Sequence, residues 1–191
     1  WQEPDNLNLY LSSLTVTTEV TDPVTEGLVK AGPDGNFIPL LVQDIPDQKN
    51  GGVSADGKTV TWKLKPGIKW SDGQPLTCED VKFTWQAVMT PDQGVISTAG
   101  WRDIDKVDCP DPNTVVISYK QPYAAYRAQM VDKVLPKHAT GDPTKMKDWA
   151  YNTKPVGTGP YKVDEFQRGS YIALSRNENY REQAKPYLDK I

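Results

Sequence analysis

The sequence is poor in the residues that metal centres need, with one histidine, His138, and two cysteines, Cys78 and Cys109. A zinc site takes several Cys or His ligands at short spacing, and His138 has no such neighbour, so no metal site is expected. The chain also lacks the apolar run of roughly 18–20 residues that crosses a membrane. Lys and Arg number 22 against 25 Asp and Glu, for a net charge of −3. That balance argues against a nucleic-acid-binding surface.

Motifs of nucleophilic and nucleotide chemistry are missing too. There is no Gly-x-Ser-x-Gly elbow, and the glycines of Val156–Tyr161 are followed by Pro-Tyr rather than by the Lys-Ser/Thr of a phosphate-binding loop. These glycines predict a backbone that bends tightly or is closely approached. Four aspartates between residues 103 and 111 lack the glycine and final Glu of an EF-hand, which favours a solvated loop. A carboxylate pair that meets only in space stays open, and a hydrolase with it.

The two cysteines allow one disulfide at most. Cys78 lies at a predicted helix start and Cys109 just before a predicted strand. If they pair, they close a loop of about 30 residues, which stabilises the fold by about 3–4 kcal/mol in the chain-entropy model. Pairing would require an oxidising compartment. The alternative is two buried free thiols.

The clearest structural pattern begins with a strand. Val60, Trp62 and Leu64 alternate with polar residues, which is the period of a half-buried strand. Turns are predicted at 65–67 and 71–74, where glycines can take a positive φ.

A capped helix is predicted next. Thr77 lies three residues before Asp80, the spacing of a capping box, and apolar residues at helical spacing follow until Pro91. The tryptophans at 62, 70 and 85 are therefore expected in the core.

Other segments give weaker signals. The alternation of Val115–Tyr119 predicts a strand, and Tyr161–Gln167 with Ser170–Arg176 predicts a hairpin. Val20–Val29 has the pattern of a weak helix, and Pro122 can open another.

The stretch Leu64–Val81 resembles the signature region of the extracellular solute-binding proteins of peptide/nickel-type ABC importers, called family 5. The pattern is Leu-Lys-x-Gly, then Trp-x-Asp-Gly, then Pro-x-Thr-x-x-Asp-Val, with Cys78 where the family usually has Ala. Val156–Tyr161 is similar to a second family signature, and Thr25–Leu28 to a third. The resemblance covers essentially the whole chain and identifies it as the N-terminal part of a family member.

The resemblance implies an α/β chain that is part of a two-lobed, periplasmic-binding-protein type II-like fold. Residues 1–29 and 140–191 would belong to lobe I proper. Residues 30–139 would form an α+β subdomain inserted in lobe I, and lobe II would be absent.

The resemblance further implies the substrate-binding component of an ABC importer and no enzyme. It would capture oligopeptides, dipeptides or a similar small solute outside the cytoplasmic membrane and deliver it to the permease. The implied protein is a periplasmic or extracellular monomer, free or lipid-anchored, with no cofactor and no nucleic-acid partner. Alternatives are a member that binds an oligosaccharide or a nickel chelate, or the sensor domain of a transcription regulator.

The resemblance also suggests where a ligand binds. Peptide-binding members pair an early segment of lobe I with the ligand like an added strand. Counting from the matched motifs, that segment falls on Ser13, Leu14 and Thr15. Trp101, in an irregular stretch, and the segment Val131, Asp132 and Lys133 are further candidates because they border the expected cleft.

Overall fold

The computed structural model describes residues 2–182 and 184–191; Trp1, where the first predicted part of lobe I would begin, and Gln183 lie outside the described residues. The helices are α1 (Thr15–Thr21), α2 (Cys78–Met89), α3 (Tyr126–Gln129) and α4 (Lys137–Thr140). The strands are β1 (Val29–Ala31), β2 (Phe37–Pro39), β3 (Thr59–Lys63), β4 (Ile104–Asp111), β5 (Thr114–Tyr119), β6 (Tyr161–Gln167) and β7 (Tyr171–Arg176). Short 3-10 helices cover Trp101–Asp103, Pro143–Asp148 and Ala150–Asn152.

A three-stranded antiparallel sheet of order β3-β5-β4 forms the centre of the molecule. Trp62 lies opposite Val115, and Val107 lies opposite Ile117, so the predicted strands pair with their apolar residues on one face. Helix α2 packs against β4 and β5 on that face. The alternation of buried residues therefore follows from covering one side of the sheet with a helix.

The start of α2 is fixed as the sequence predicts. The Asp80 carboxylate accepts the Thr77 backbone N–H at 2.9 Å, which completes a capping box. Cys78, at the first position of the helix, forms a disulfide with Cys109 on β4. Of the two alternatives for the cysteines, the structure contains the pair, and it ties the helix start to the edge of the sheet.

Two antiparallel hairpins flank this centre, β1 with β2 and β6 with β7. A large hydrophobic cluster extends from Tyr10 to Tyr151, and a smaller one joins Leu7 and Val24 to the β6–β7 hairpin. The large cluster crosses the predicted subdomain boundaries near residues 29 and 140, so it does not divide the chain there. The division into lobe I and inserted subdomain stays a prediction.

Two predicted helices differ from the structure. The helix predicted for Val20–Val29 is wrong, because α1 ends at Thr21 and β1 begins at Val29. Pro23 has no amide hydrogen to donate to the preceding turn, so the helical hydrogen-bonding pattern does not continue through it. The helix expected after Pro122 is reduced to the single turn of α3.

The glycine loop after Val156 is closely approached, as predicted. A Cβ atom on Gly157 would collide with the carbonyl oxygen of Val24, and one on Gly159 with that of Pro23. The Gly159 N–H donates to Val24 O at 2.9 Å across this contact. Only glycine lets the two backbones approach so closely.

A buried ion pair fastens the same region. Arg181 binds the Glu26 carboxylate through both terminal nitrogens, and the Thr158 hydroxyl donates to Glu26 Oε2 at 3.0 Å. Glu26 is 8% exposed, so it needs these partners. Segments far apart in the chain are thus held together around Glu26.

Candidate ligand-binding cavity

A concavity of the described residues has a volume of about 680 Å³. Three segments bound it, 9–13, 96–99 and 123–133, together with α1 and the residue that follows it. The lining residues are Leu9, Tyr10, Ser12, Ser13, Thr18, Asp22, Ile96, Ser97, Ala99, Tyr123, Ala125, Ala128, Gln129, Val131, Asp132 and Lys133.

The first two segments meet through the backbone. The Ile96 N–H donates to Tyr10 O at 3.0 Å, which places residues 96–99 beside residues 9–13. Buried Asn8 shapes this turn, because its side-chain oxygen accepts the Tyr10 N–H at 3.1 Å. Ile96 is left 51% exposed on the cavity wall. An apolar side chain held so openly in a concavity is typical of a binding surface.

The third segment wraps around a glycine. A Cβ atom on Gly27 would lie 2.5–2.7 Å from the carbonyl oxygens of residues 130–132, so no other residue fits there without a shift. Val29 N–H donates to Met130 O, and Val134 N–H to Glu26 O. These hydrogen bonds on either side hold residues 131–133 in place in the cavity wall.

Tyr10 joins the first segment to the third. Its hydroxyl donates to Lys133 O at 2.6 Å, and its ring makes an edge contact with Trp101, with centroids 6.3 Å apart. Burial raises the pKa of Tyr10 well above its ordinary value. The nearby negative charge of Asp132 raises it further, by a smaller amount. Tyr10 is thus a neutral donor that fixes the cavity wall.

The charged groups of the lining are unequally paired. Lys133 Nζ lies 2.9 Å from Asp22 Oδ1. Asp132 accepts the Trp101 indole N–H on Oδ2 at 2.8 Å, and no described residue donates to its Oδ1. Although Asp132 is exposed toward the cavity, surrounding protein withdraws water from its carboxylate and raises its pKa, while the Trp101 bond opposes the rise.

Gln129 contributes a second incompletely bonded group. Its side-chain oxygen accepts the Tyr119 hydroxyl at 2.8 Å, whereas its Nε2 is buried without a partner among the described residues. Gln129 is only 6% exposed, so it supports the cavity floor.

The structure brings together four of the seven predicted contact residues. Ser13, Val131, Asp132 and Lys133 all line the cavity, whereas Leu14 and Thr15 start α1 and do not. The expectation of an exposed or cleft-lining aromatic at position 101 is not met: Trp101 is 3% exposed and lies behind Asp132.

Tyr10, Ile96 and Gln129 also line the cavity and were not predicted from the sequence. No local pattern marks them, because long-range contacts bring each to the cavity. None of the described residues form a group of three His, Cys, Asp or Glu side chains that could hold a metal ion. Likewise, the described helices include none long and apolar enough to cross a bilayer.

The family model of the bacterial extracellular solute-binding proteins, family 5 (middle region), matches residues 36–191. The chain belongs to this family. The α/β fold and the family predicted from the motifs are thereby confirmed.

Curated relatives of this family 5 chain are longer. Protein XP55 of Streptomyces lividans is 32% identical over 93% of this chain and 31% of its own length. The oligopeptide-binding protein AppA of Bacillus subtilis is 28% identical over 99% of this chain and 34% of its own length. The chain thus spans about a third of the length of the relatives it matches.

Solved structures agree with the family 5 assignment. AppA, in complex with a nonapeptide, superposes on 98% of this chain with a TM-score of 0.84 and 26% identity, and 37% of AppA is covered. NikZ from Campylobacter jejuni, in complex with Ni(L-His), covers 100% of this chain with a TM-score of 0.81 and 26% identity, and 36% of NikZ is covered. The chain has the fold of one portion of these family 5 binding proteins.

Proposed function

We propose that the protein containing this chain captures peptides outside the cytoplasmic membrane and delivers them to the permease of an ABC importer. The chain would supply one wall of the ligand cleft and carry out no reaction. The likeness to AppA, whose structure holds a nonapeptide, supports this choice. The protein would be a monomer, in the periplasm or outside the cell, either free or lipid-anchored, with no nucleic-acid partner.

The backbone of Ser13 carries the proposal. Neither its N–H nor its C=O has a hydrogen-bonding partner among residues 2–182 and 184–191, and Ser13 lies on the cavity edge. An extended peptide needs such a free donor and acceptor to pair as an added strand. The apolar residues Leu9, Ile96 and Val131 line the same cavity and would receive peptide side chains.

The same fold portion serves other solutes in relatives. NikZ holds Ni(L-His), so a nickel chelate is the second candidate. An oligosaccharide receptor and the sensor domain of a regulator remain alternatives from the sequence. The free backbone pair at Ser13 favours a peptide over these, since neither a chelate nor a sugar presents a repeating amide edge.

The test is calorimetric titration of the full-length protein with defined peptides of two to nine residues, with Ni(L-His), and with a maltose-type oligosaccharide. We expect peptides to bind and the other two not to. Ser13→Pro, which removes the backbone donor, should weaken peptide binding about tenfold, whereas Ser13→Ala keeps it and should bind normally. Binding of the chelate or the sugar alone would contradict the proposal, as would equal affinities for the two variants at equal thermal stability.

A further inference from the structure

We propose that Asp132 makes this cavity selective for solutes that carry a cationic nitrogen, an ammonium or guanidinium group. The inference rests on the proposed function insofar as it takes the cavity to be the ligand site. It goes beyond that function because it assigns the solute a charge and assigns one residue to recognise it.

Pairing of the charges within the lining supports the assignment. Asp22, Asp132 and Lys133 are the charged residues among the lining side chains. Lys133 is about four fifths buried and is engaged by Asp22 at 2.9 Å, so these two charges offset each other. No Lys, Arg or His among the described residues lies within ion-pair distance of Asp132. The lining therefore presents one uncompensated negative charge.

The carboxylate is also held in a fixed direction. The Trp101 N–H binds Oδ2 at 2.8 Å, and the Trp101 ring is itself buried against Tyr10. Oδ1 has no hydrogen-bond donor among the described residues, and Asp132 lines the cavity. A carboxylate with one oxygen anchored and the other free is oriented in advance for a donor from outside, and such orientation lowers the entropy cost of binding.

The surroundings strengthen such an ion pair. Ile96, Val131 and Leu9 are apolar neighbours in the lining, and they would exclude water once a solute covers them. Burial by the surrounding protein raises the pKa of Asp132, which agrees with a carboxylate that a cation would stabilise. A cation on an alkyl stem matches both features, because the stem packs on the apolar wall while the charged nitrogen meets Oδ1. Lysine and arginine side chains and peptide amino termini are groups of this kind.

The test compares Asp132→Asn with wild type in the full-length protein. Asn keeps a side-chain carbonyl for the Trp101 N–H and removes only the charge. Asp105→Asn, on the exposed side of β4, is the matched control. The probes are Ala-Lys-Ala and Ala-norleucine-Ala, each with a free and with an acetylated amino terminus, titrated calorimetrically.

We expect Asp132→Asn to weaken the probes whose cation reaches the site by about tenfold or more, as for a charge-assisted hydrogen bond. The affinity for acetylated Ala-norleucine-Ala, which has neither cation, should change less than about threefold. Asp105→Asn should bind all four probes like wild type. If the variant weakened the binding of all four probes equally, Asp132 would act by stabilising the protein structure and not by contacting a cation, and the assignment would be overturned. No weakening of any probe would overturn it as well.

A second probe pair separates this inference from the peptide proposal. If wild type binds none of the peptides, the peptide proposal fails, and 1,4-diaminobutane is titrated against 1,4-butanediol. Binding of the diamine with a loss of about tenfold in Asp132→Asn supports the charge selection without a peptide. Binding of neither compound, or binding of both unaffected by the variant, overturns it.

Discussion

Asp80 and Asp132 are two aspartates whose pKa is raised first of all by burial, yet the structure uses them differently. Asp80 is 4% exposed, and both of its oxygens are bonded, Oδ2 to Thr77 N–H at 2.9 Å and Oδ1 to Lys137 N–H at 3.0 Å. Asp132, a residue of the cavity lining, has Oδ2 bonded to Trp101 and no donor to Oδ1 among the described residues.

The difference shows how to distinguish a structural carboxylate from one reserved for a ligand. Asp80 joins the start of α2 to the start of α4, and its burial is offset by backbone donors. Asp132 bears a desolvation cost that nothing among the described residues offsets fully. Partial pairing inside a concavity, rather than the raised pKa alone, marks the second case.

The largest expected effect concerns the Asp80 region, where the disulfide lies two residues before that aspartate. Replacing both Cys78 and Cys109 by Ala should lower the free energy of unfolding by about 3–4 kcal/mol, because the unfolded chain regains the entropy of a 31-residue separation. Urea unfolding of the full-length protein measures this. A reductant should lower the stability of the wild type and leave that of the variant unchanged. Peptide affinity should stay unchanged. A tenfold loss of affinity would show that the disulfide also supports the cavity, which contradicts the separate roles of the two regions.

Asp80→Ala should cost about 3 kcal/mol of unfolding free energy, since it leaves a cavity at a buried position and removes the acceptor of the Thr77 and Lys137 N–H groups. The neighbouring Glu79→Ala is the control, because Glu79 forms an exposed ion pair with Lys137 and should cost less than about 1 kcal/mol. Similar losses from both variants in urea unfolding would contradict the structural role given to Asp80.

The smallest effect is the pH dependence of stability at Asp132. Because the folded pKa lies above the usual value of 3.8, folding favours the protonated form. Wild type and Asp132→Asn should therefore match below pH 3.8. As pH rises through 3.8 and the raised pKa, wild type should become less stable than the variant, by less than about 1 kcal/mol. Thermal midpoints from pH 3 to 7 measure the difference, and a variant less stable at pH 7 would contradict this sign.

Local sequence signals predicted the Asp80 region and the β6–β7 hairpin well. The alternation in β3, the capping box of Thr77 and Asp80, and the hairpin of β6 and β7 each depend on residues a few positions apart. Helix α1 escaped prediction because its Thr and Val residues have low helix propensity. It forms in a buried setting, where Thr17 and Thr21 are fully covered.

The cavity was only partly predictable, since its walls come from distant parts of the chain. Ser13 and the segment 131–133 came from family motifs and do line it. Ile96 reaches the cavity through its bond to Tyr10, 86 positions earlier, and no periodicity encodes such a contact. Trp101 was predicted as a candidate ligand contact from its irregular surroundings, but it is buried, and its indole N–H donates to the Asp132 carboxylate.

The contact between Glu26 and Thr158 also determines when this molecule can be assembled during its synthesis. The two residues are 132 positions apart, so Glu26 leaves the ribosome long before its partner exists. At a synthesis rate of roughly 5–20 residues per second, that wait lasts about 7–26 seconds. During this time Val24 and Leu7 lack the β6–β7 hairpin that covers them, which leaves an apolar surface available to a chaperone.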